Sequence, residues 1–204
     1  MSNDTVLKMV GIDKRFGGIH ALDHVDFDVR RGEVMVLMGE NGAGKSTLMK
    51  ILAGIYSKDS GEIHLDGEQV EIANPVEARN QGIAMIHQEL SMCTNMSIAE
   101  NIFRNEEPTY GFLRMVDARK MLNDAQAILD GMDMNLQAHL QVDSLSIAQQ
   151  QMVEIARAVS KNARIVVMDE PTSSLTEKEV EALFEIISGL KEQNVGVIYI
   201  SHRM

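Results

Sequence analysis

The sequence predicts an α/β fold in which strands alternate with helices and a helical insertion occupies the middle of the chain. Three observations carry this expectation. Short apolar runs at residues 34–38, 165–168 and 195–200 have the length and composition of buried strands. Between them, apolar residues recur at the helical period. A glycine-rich segment, residues 39–44, joins the first run to the stretch Leu48-Met49-Lys50-Ile51-Leu52-Ala53, which gives a strand, a loop and a helix in succession.

In chain order, residues 7–10 and 25–29 read as short strands before the run at 34–38. Residues 62–72 read as a hairpin that turns at Asp66-Gly67, a dipeptide suited to positive φ. Residues 83–87 make a further strand, and from there to about residue 160 the chain reads as helical. Ser97 with Glu100 has capping-box spacing. Ala118, Met121, Leu122, Ala125, Ile128, Leu129 and Met132 line one helical face behind Asp117 as N-cap, and this stripe reads as core. Thr176 and Glu179 cap a helix that runs through Leu190.

A length of 204 residues with 45% hydrophobic content fits one domain over 1–204, with a helical subdomain at about 89–160. The net charge of −11 is spread without a basic face, which argues against nucleic acid as a partner. The single cysteine, Cys93, excludes a disulfide framework and reads as incidental. The N-terminus has no signal-peptide pattern, and no run approaches the ~20 apolar residues of a membrane span. A soluble, intracellular protein that docks on a membrane partner is expected. The 15 methionines read as adaptable core filler.

The chemistry concentrates in three places. Gly39, Glu40, Asn41, Gly42, Ala43, Gly44, Lys45, Ser46 and Thr47 have the full spacing of a phosphate-binding P-loop. Glycines let backbone N–H groups surround an anion, and the following helix aims its positive end at the same point. Lys45 then reaches the terminal phosphates and Ser46 offers a hydroxyl to magnesium, so a nucleoside triphosphate is the expected ligand. The strand at 165–168 ends in Asp169-Glu170, two carboxylates expected beside those phosphates. Asp169 suits magnesium, and Glu170 suits the polarisation of an attacking water. Ser146 with Gln149 opens a third candidate element. It reads equally as a well-capped helix and as an anion site at a helix N-terminus, and the residues alone do not choose.

The set 39–47, Gln88, Leu145-Ser146-Ile147-Ala148-Gln149, Asp169-Glu170 and Ser201-His202, in that order, resembles the ATP-binding cassette (ABC) ATPases along essentially the whole chain. The finer resemblance is to the ATPase subunits of bacterial importers of the ribose, galactose, arabinose and xylose type. It rests on His87-Gln88-Glu89-Leu90, on residues 145–155 and on residues 169–176. That family carries two tandem cassettes, and this chain is similar to the first. The resemblance implies a P-loop NTPase cassette of ABC type, with an antiparallel β subdomain and a helical insertion. It implies ATP and Mg2+ as ligands, with Phe16 stacked on adenine and Gln88 joining Ser46 and Asp169 around the metal. Glu170 and His202 would be the catalytic pair, while Ser146 and Gln149 would serve the nucleotide of a partner cassette. Residues 173–176 would lie at the interface between cassettes. Implied partners are a second cassette, transmembrane permease subunits and, indirectly, a periplasmic sugar-binding protein. The implied location is peripheral, on the cytoplasmic face of the inner membrane.

Two departures stand out. Ile147 and Ala148 replace both glycines of the usual Leu-Ser-Gly-Gly-Gln signature, and their side chains are expected to hinder close backbone approach. The chain also ends at Met204, two residues past His202, so an incomplete cassette is expected. Two further readings stay open: a soluble ABC ATPase acting on ribosomes or DNA, and a fragment that binds ATP without turnover. The acidic charge and the segment Ser173-Ser174-Leu175-Thr176 speak against the former.

Overall fold

Residues 4–40, 42–86, 92–161, 163–172 and 175–201 are described by the computed structural model. The strands are β1 Thr5–Phe16, β2 Ile19–Arg30, β3 Val34–Met38, β4 Ser60–Leu65, β5 Glu68–Val70, β6 Ile83–Ile86, β7 Thr109–Tyr110, β8 Met115–Val116, β9 Ile165–Asp169 and β10 Gly196–Ser201. The helices are α1 Lys45–Leu52, α2 Pro75–Asn80, α3 Ile98–Ile102, α4 Ala118–Gly131, α5 Ile147–Ser160 and α6 Glu177–Glu192. The chain divides into two compact units. One comprises Met1–Gln88, Asn162–Ser173 and Ile187–Met204, and the other Glu89–Lys161 and Ser174–Ile186.

The first unit holds two sheets. One is antiparallel in the order β2-β1-β4-β5, and the other runs β3-β10-β9-β6 with every pairing parallel. Ile165, Val166, Val167 and Met168 are fully buried, as a strand covered on both faces requires. Side chains such as Leu7, Met9, Ile12, Met49, Leu52, Ile63, Ile165 and Ile198 form one core cluster. Burying each aliphatic side chain there contributes about 1.5–3 kcal/mol. The Asp66-Gly67 turn has the expected positive φ at both residues, 53° and 86°, and Leu65 faces Glu68 across it. Arg31 and Arg164 each bond one oxygen of the Asp66 carboxylate, at 2.5 and 2.7 Å.

The first two strands are longer than the sequence pattern indicates. Register shifts interrupt the β1–β2 ladder at several points, including Met9/Ile12 and Ile12/Lys14, so the period-two alternation breaks while pairing continues. The short helix α2 has a legible start that the sequence reading passed over. The Asn74 side chain accepts from the N–H groups of Val76 and Glu77, with Pro75 in the first turn.

In the second unit, α3, α4 and α5 pack on one another, and Ile98, Ile102, Met121, Ala125, Leu129 and Ile155 on these helices are buried. The expected run of helix is interrupted by the two-residue strands β7 and β8, joined through Gly111 and Arg114 at positive φ. Strands that short carry no readable period. Asp117 caps α4 by accepting from Lys120 N, and the expected boxes at Ser97/Glu100 and Ser146/Gln149 are both formed. No helix among the described residues is long and apolar enough to cross a membrane. Cys93 is half-buried, with Arg104 donating to its sulfur at 3.0 Å.

The Ser97 box has a testable pH signature. The Ser97 N–H and hydroxyl both donate to Glu100 Oε2, at 2.7 and 2.8 Å, and hold its carboxyl below the ordinary range. A depressed folded-state pKa contributes stability above the unfolded value of about 4.3 and loses it as pH falls through the folded value. Glu100→Gln keeps the reach of the box, as Gln149 does at Ser146, and removes the charge, so it is expected to cost about 0.3–1 kcal/mol at pH 7. The gap to wild type should narrow toward pH 3, read from urea midpoints. A gap independent of pH would contradict this account.

Candidate nucleotide-binding site

Four parallel strands place their carboxyl ends along one edge of a single sheet, where α/β folds bind ligands. Met38, the last residue of β3, lies beside Ser201 of β10, and Ile200 of β10 lies beside Asp169 of β9. The glycine-rich loop leaves β3 there, and Asp169-Glu170 leaves β9 at the same edge. The P-loop and the two carboxylates thus belong to one compact unit. The parallel pairing of β9 and β3 on either side of β10 brings these distant segments together.

The loop is shaped for an anion. Gly42 and Gly44 adopt φ of 88° and 81°, conformations that other residues reach only with strain. A Cβ on Gly44 would meet Ala21 O at 2.7 Å and Leu22 Cδ2 at 2.8 Å, so β2 leaves no room for a side chain. Gly44 is the N-cap of α1, whose start has no side-chain cap and no acidic residue in its first turn. By contrast, α2, α3, α4 and α5 are each capped by a side chain. Orphan N–H groups and the helix dipole are thereby left to a bound anion. Lys45 is 6% exposed, and its Nζ donates to Gly39 O at 2.5 Å and Glu40 O at 2.8 Å. Those two carbonyls hold the ammonium along its own loop.

The donor set fits magnesium. Ser46, in the first turn of α1, offers a hydroxyl, and the half-buried Asp169 offers a carboxylate; both are hard oxygens. Glu170, half-buried, sits at φ 49°, and its N–H donates to Ile200 O at 3.2 Å. A glutamate held in the left-handed region costs about 1–2 kcal/mol, a strain that tertiary contacts must sustain. Phe16 is 40% exposed. Its ring lies edge-on to Tyr56 with centroids 5.2 Å apart, and Lys14 Nζ is 5.4 Å from its centroid. Tyr56 was not legible as Phe16's neighbour, because the fold joins them, whereas Lys14 lies two residues before Phe16 on β1.

Ser146 and Gln149 lie in the second unit. Ser146 N donates to Gln149 Oε1 at 2.9 Å, and Gln149 N donates to Ser146 Oγ at 3.2 Å. The Ser146 hydroxyl donates at 3.4 Å to Glu179, whose other oxygen accepts from the Thr176 N–H and hydroxyl at 2.9 Å each. These contacts, the Thr176 N–H foremost, hold the Glu179 carboxyl below its ordinary range. The expected Thr176/Glu179 spacing was visible in the sequence, but the reach to Ser146 was not. The two signature substitutions separate cleanly. Ala148 is buried within the second unit. Ile147 is 53% exposed and presents an apolar side chain at the start of α5. Asn41, His87, Gln88, Glu89, Leu90, Ser173, Ser174 and His202 lie outside the described residues.

Comparison with known proteins agrees with this geometry. The profile of the family described as ABC transporter matches residues 22–173. The chain is 51% identical to a galactose/methyl galactoside import ATP-binding protein of Photobacterium profundum, over 99% of this chain and 41% of that protein. It is 50% identical to a putative ribose/galactose/methyl galactoside import ATP-binding protein of Geobacillus kaustophilus, over 100% of this chain and 41% of that one. The chain therefore spans about two fifths of the length of the curated relatives it matches. Among solved structures, a nucleotide-free ATP-binding cassette from an ABC transporter has a TM-score of 0.85 at 28% identity, covering 98% of this chain and 82% of that one. A second cassette, in its ADP conformation, gives 0.83 at 27% identity with the same coverage. The profile match extends over well more than half of the sequence, and the chain belongs to the ABC transporter family.

Proposed function

We propose that this chain is the ATP-binding and ATP-hydrolysing part of an importer that couples nucleotide turnover to uptake of a monosaccharide. The observation that carries the reading is the placement of the P-loop and the Asp169-Glu170 pair at one edge of the parallel sheet. The phosphates of ATP would lie against the loop N–H groups and the uncapped start of α1. Lys45 would exchange its two loop carbonyls for phosphate oxygens. Ser46 and Asp169, with Gln88 as the resemblance implies, would hold magnesium, which neutralises phosphate charge when bound. Glu170 would orient the attacking water and accept its proton as the bond to the leaving diphosphate breaks, assisted by His202. Phe16, with Tyr56 behind it, would support the adenine ring.

Ser146 and Gln149 would complete the site of a second cassette, which would in turn complete this one. Permease subunits at the cytoplasmic face of the inner membrane would receive the motion, and a periplasmic binding protein would deliver the sugar. The identity of about 50% to import ATP-binding proteins supports this assignment. The exposed Ile147 supports a second reading in which this chain binds nucleotide while the site it completes turns over slowly.

The first test is binding. A fluorescent ATP analogue with Mg2+ should saturate the wild-type chain. Loss of the charge-assisted contacts in Lys45→Ala is expected to weaken binding by about 2–3 kcal/mol, roughly 30- to 150-fold. Equal affinity in the two proteins would overturn the assignment of Lys45.

A further inference from the structure

On the β1–β2 hairpin that carries Phe16, one set of side chains not used by the nucleotide reading has the composition of a transition-metal centre. His20 Nε2 lies 2.7 Å from Asp13 Oδ2 and 3.9 Å from Asp23 Oδ1. His24 Nδ1 lies 2.8 Å from Asp23 Oδ1 and 3.8 Å from Asp13 Oδ2. These separations straddle about 3.3 Å, the edge of a tetrahedron built on bonds of ~2.0 Å. The ligand atoms of Asp13, His20 and Asp23 all lie within 4.8 Å of one another. Asp13 is the buried member, with its side chain 11% exposed. Arg15 Nε lies 3.8 Å from its Oδ1, which leaves Oδ2 as the oxygen turned to the histidines. The backbone contributes to this convergence. One register shift, between Ile12 and Lys14, spans Asp13 and another follows between Lys14 and Arg15, and such bulges re-aim the side chains beside them. His24 stands at φ 49°.

We propose that Asp13, His20 and Asp23 bind one divalent ion of the Zn2+ class, with His24, 2.8 Å from Asp23, orienting that carboxylate. An imidazole nitrogen favours zinc and its neighbours over magnesium or calcium, and two carboxylates balance the charge of the ion. The ion would replace the present His20–Asp13 hydrogen bond with bonds at the same atoms. It would also tie β1 to β2 on either side of Phe16, next to the Ala21-Leu22 segment that closes on Gly44.

The experiment is calorimetric titration of the chain with ZnCl2, with Mg2+ in excess to occupy the P-loop site. It is repeated in His20→Ala and in the double variant Asp23→Asn/His24→Ala. The latter two side chains are 71% and 75% exposed, so their replacement should leave the fold intact. His64→Ala serves as control, since His64 pairs with Glu62 elsewhere in the sheet. One ion per chain is expected, with affinity reduced at least about tenfold in both cluster variants and unchanged in the control. Cobalt(II) at the same site should give the strong visible absorption of four-coordinate cobalt. An absence of saturable zinc binding, or an isotherm unaltered in both cluster variants, would overturn the proposal.

Discussion

Glu170→Gln is expected to slow ATP hydrolysis by about 10²- to 10⁴-fold while leaving nucleotide affinity within about twofold. The substitution keeps size and shape and removes the carboxylate to which the proposed function gives the proton from water, leaving Asp169 in place. Binding should persist because, in the proposed function, the phosphates would be held by the P-loop with Ser46 and Asp169, and not by Glu170. The measurement is single-turnover ATP hydrolysis with the proposed second cassette and permease added, beside an equilibrium titration of nucleotide. If the variant hydrolysed ATP at the wild-type rate in a preparation that still bound it, the role given to Glu170 would be wrong.

Gly44→Ala is the second large effect, and here binding and stability should fall together. The added methyl would overlap Ala21 O and Leu22 Cδ2, at 2.7 and 2.8 Å, and would stand at φ 81°. Overpacking costs about 1–3 kcal/mol, and the left-handed conformation adds about 1–2 kcal/mol. For a chain of this size the sum corresponds to a melting temperature lowered by roughly 5–15 °C. Relief by shifting the loop would pull the N–H groups away from the phosphates, so nucleotide binding should weaken at least about tenfold. Two other glycines make the comparison specific. Gly42, at φ 88°, has open space where a Cβ would go, so Gly42→Ala carries strain without overlap. Gly18 has neither, and Gly18→Ala should be close to neutral. A melting temperature for Gly44→Ala equal to that of Gly18→Ala would remove the packing argument.

Part of this protein could be read without coordinates because its chemistry is local. The P-loop lies within nine consecutive residues, Gly39 to Thr47, whose glycines and lysine declare a phosphate cradle whatever surrounds them. The capping boxes at Ser97 and Ser146 likewise act over three residues, and both form as expected. The edges of elements were harder to place. Bulges conceal the length of β1 and β2, and β7 and β8 are two residues each, too short for any period to register.

The sequence by itself determined the ligand class, the strand that ends in paired carboxylates, and the alternation that makes an α/β core. Each is a property of a few adjacent residues. The tertiary structure alone decided which distant residues share a site. It inserted β10 between β3 and β9, so that Met38 and Asp169 end at one edge, although about 130 residues of chain separate them. It buried Ala148 and left Ile147 exposed, set Glu179 against Ser146, and gathered two histidines with two aspartates beside a bulge. Those outcomes follow from strand order, register and twist. They arise from the burial of the whole core, and no short stretch of sequence encodes them.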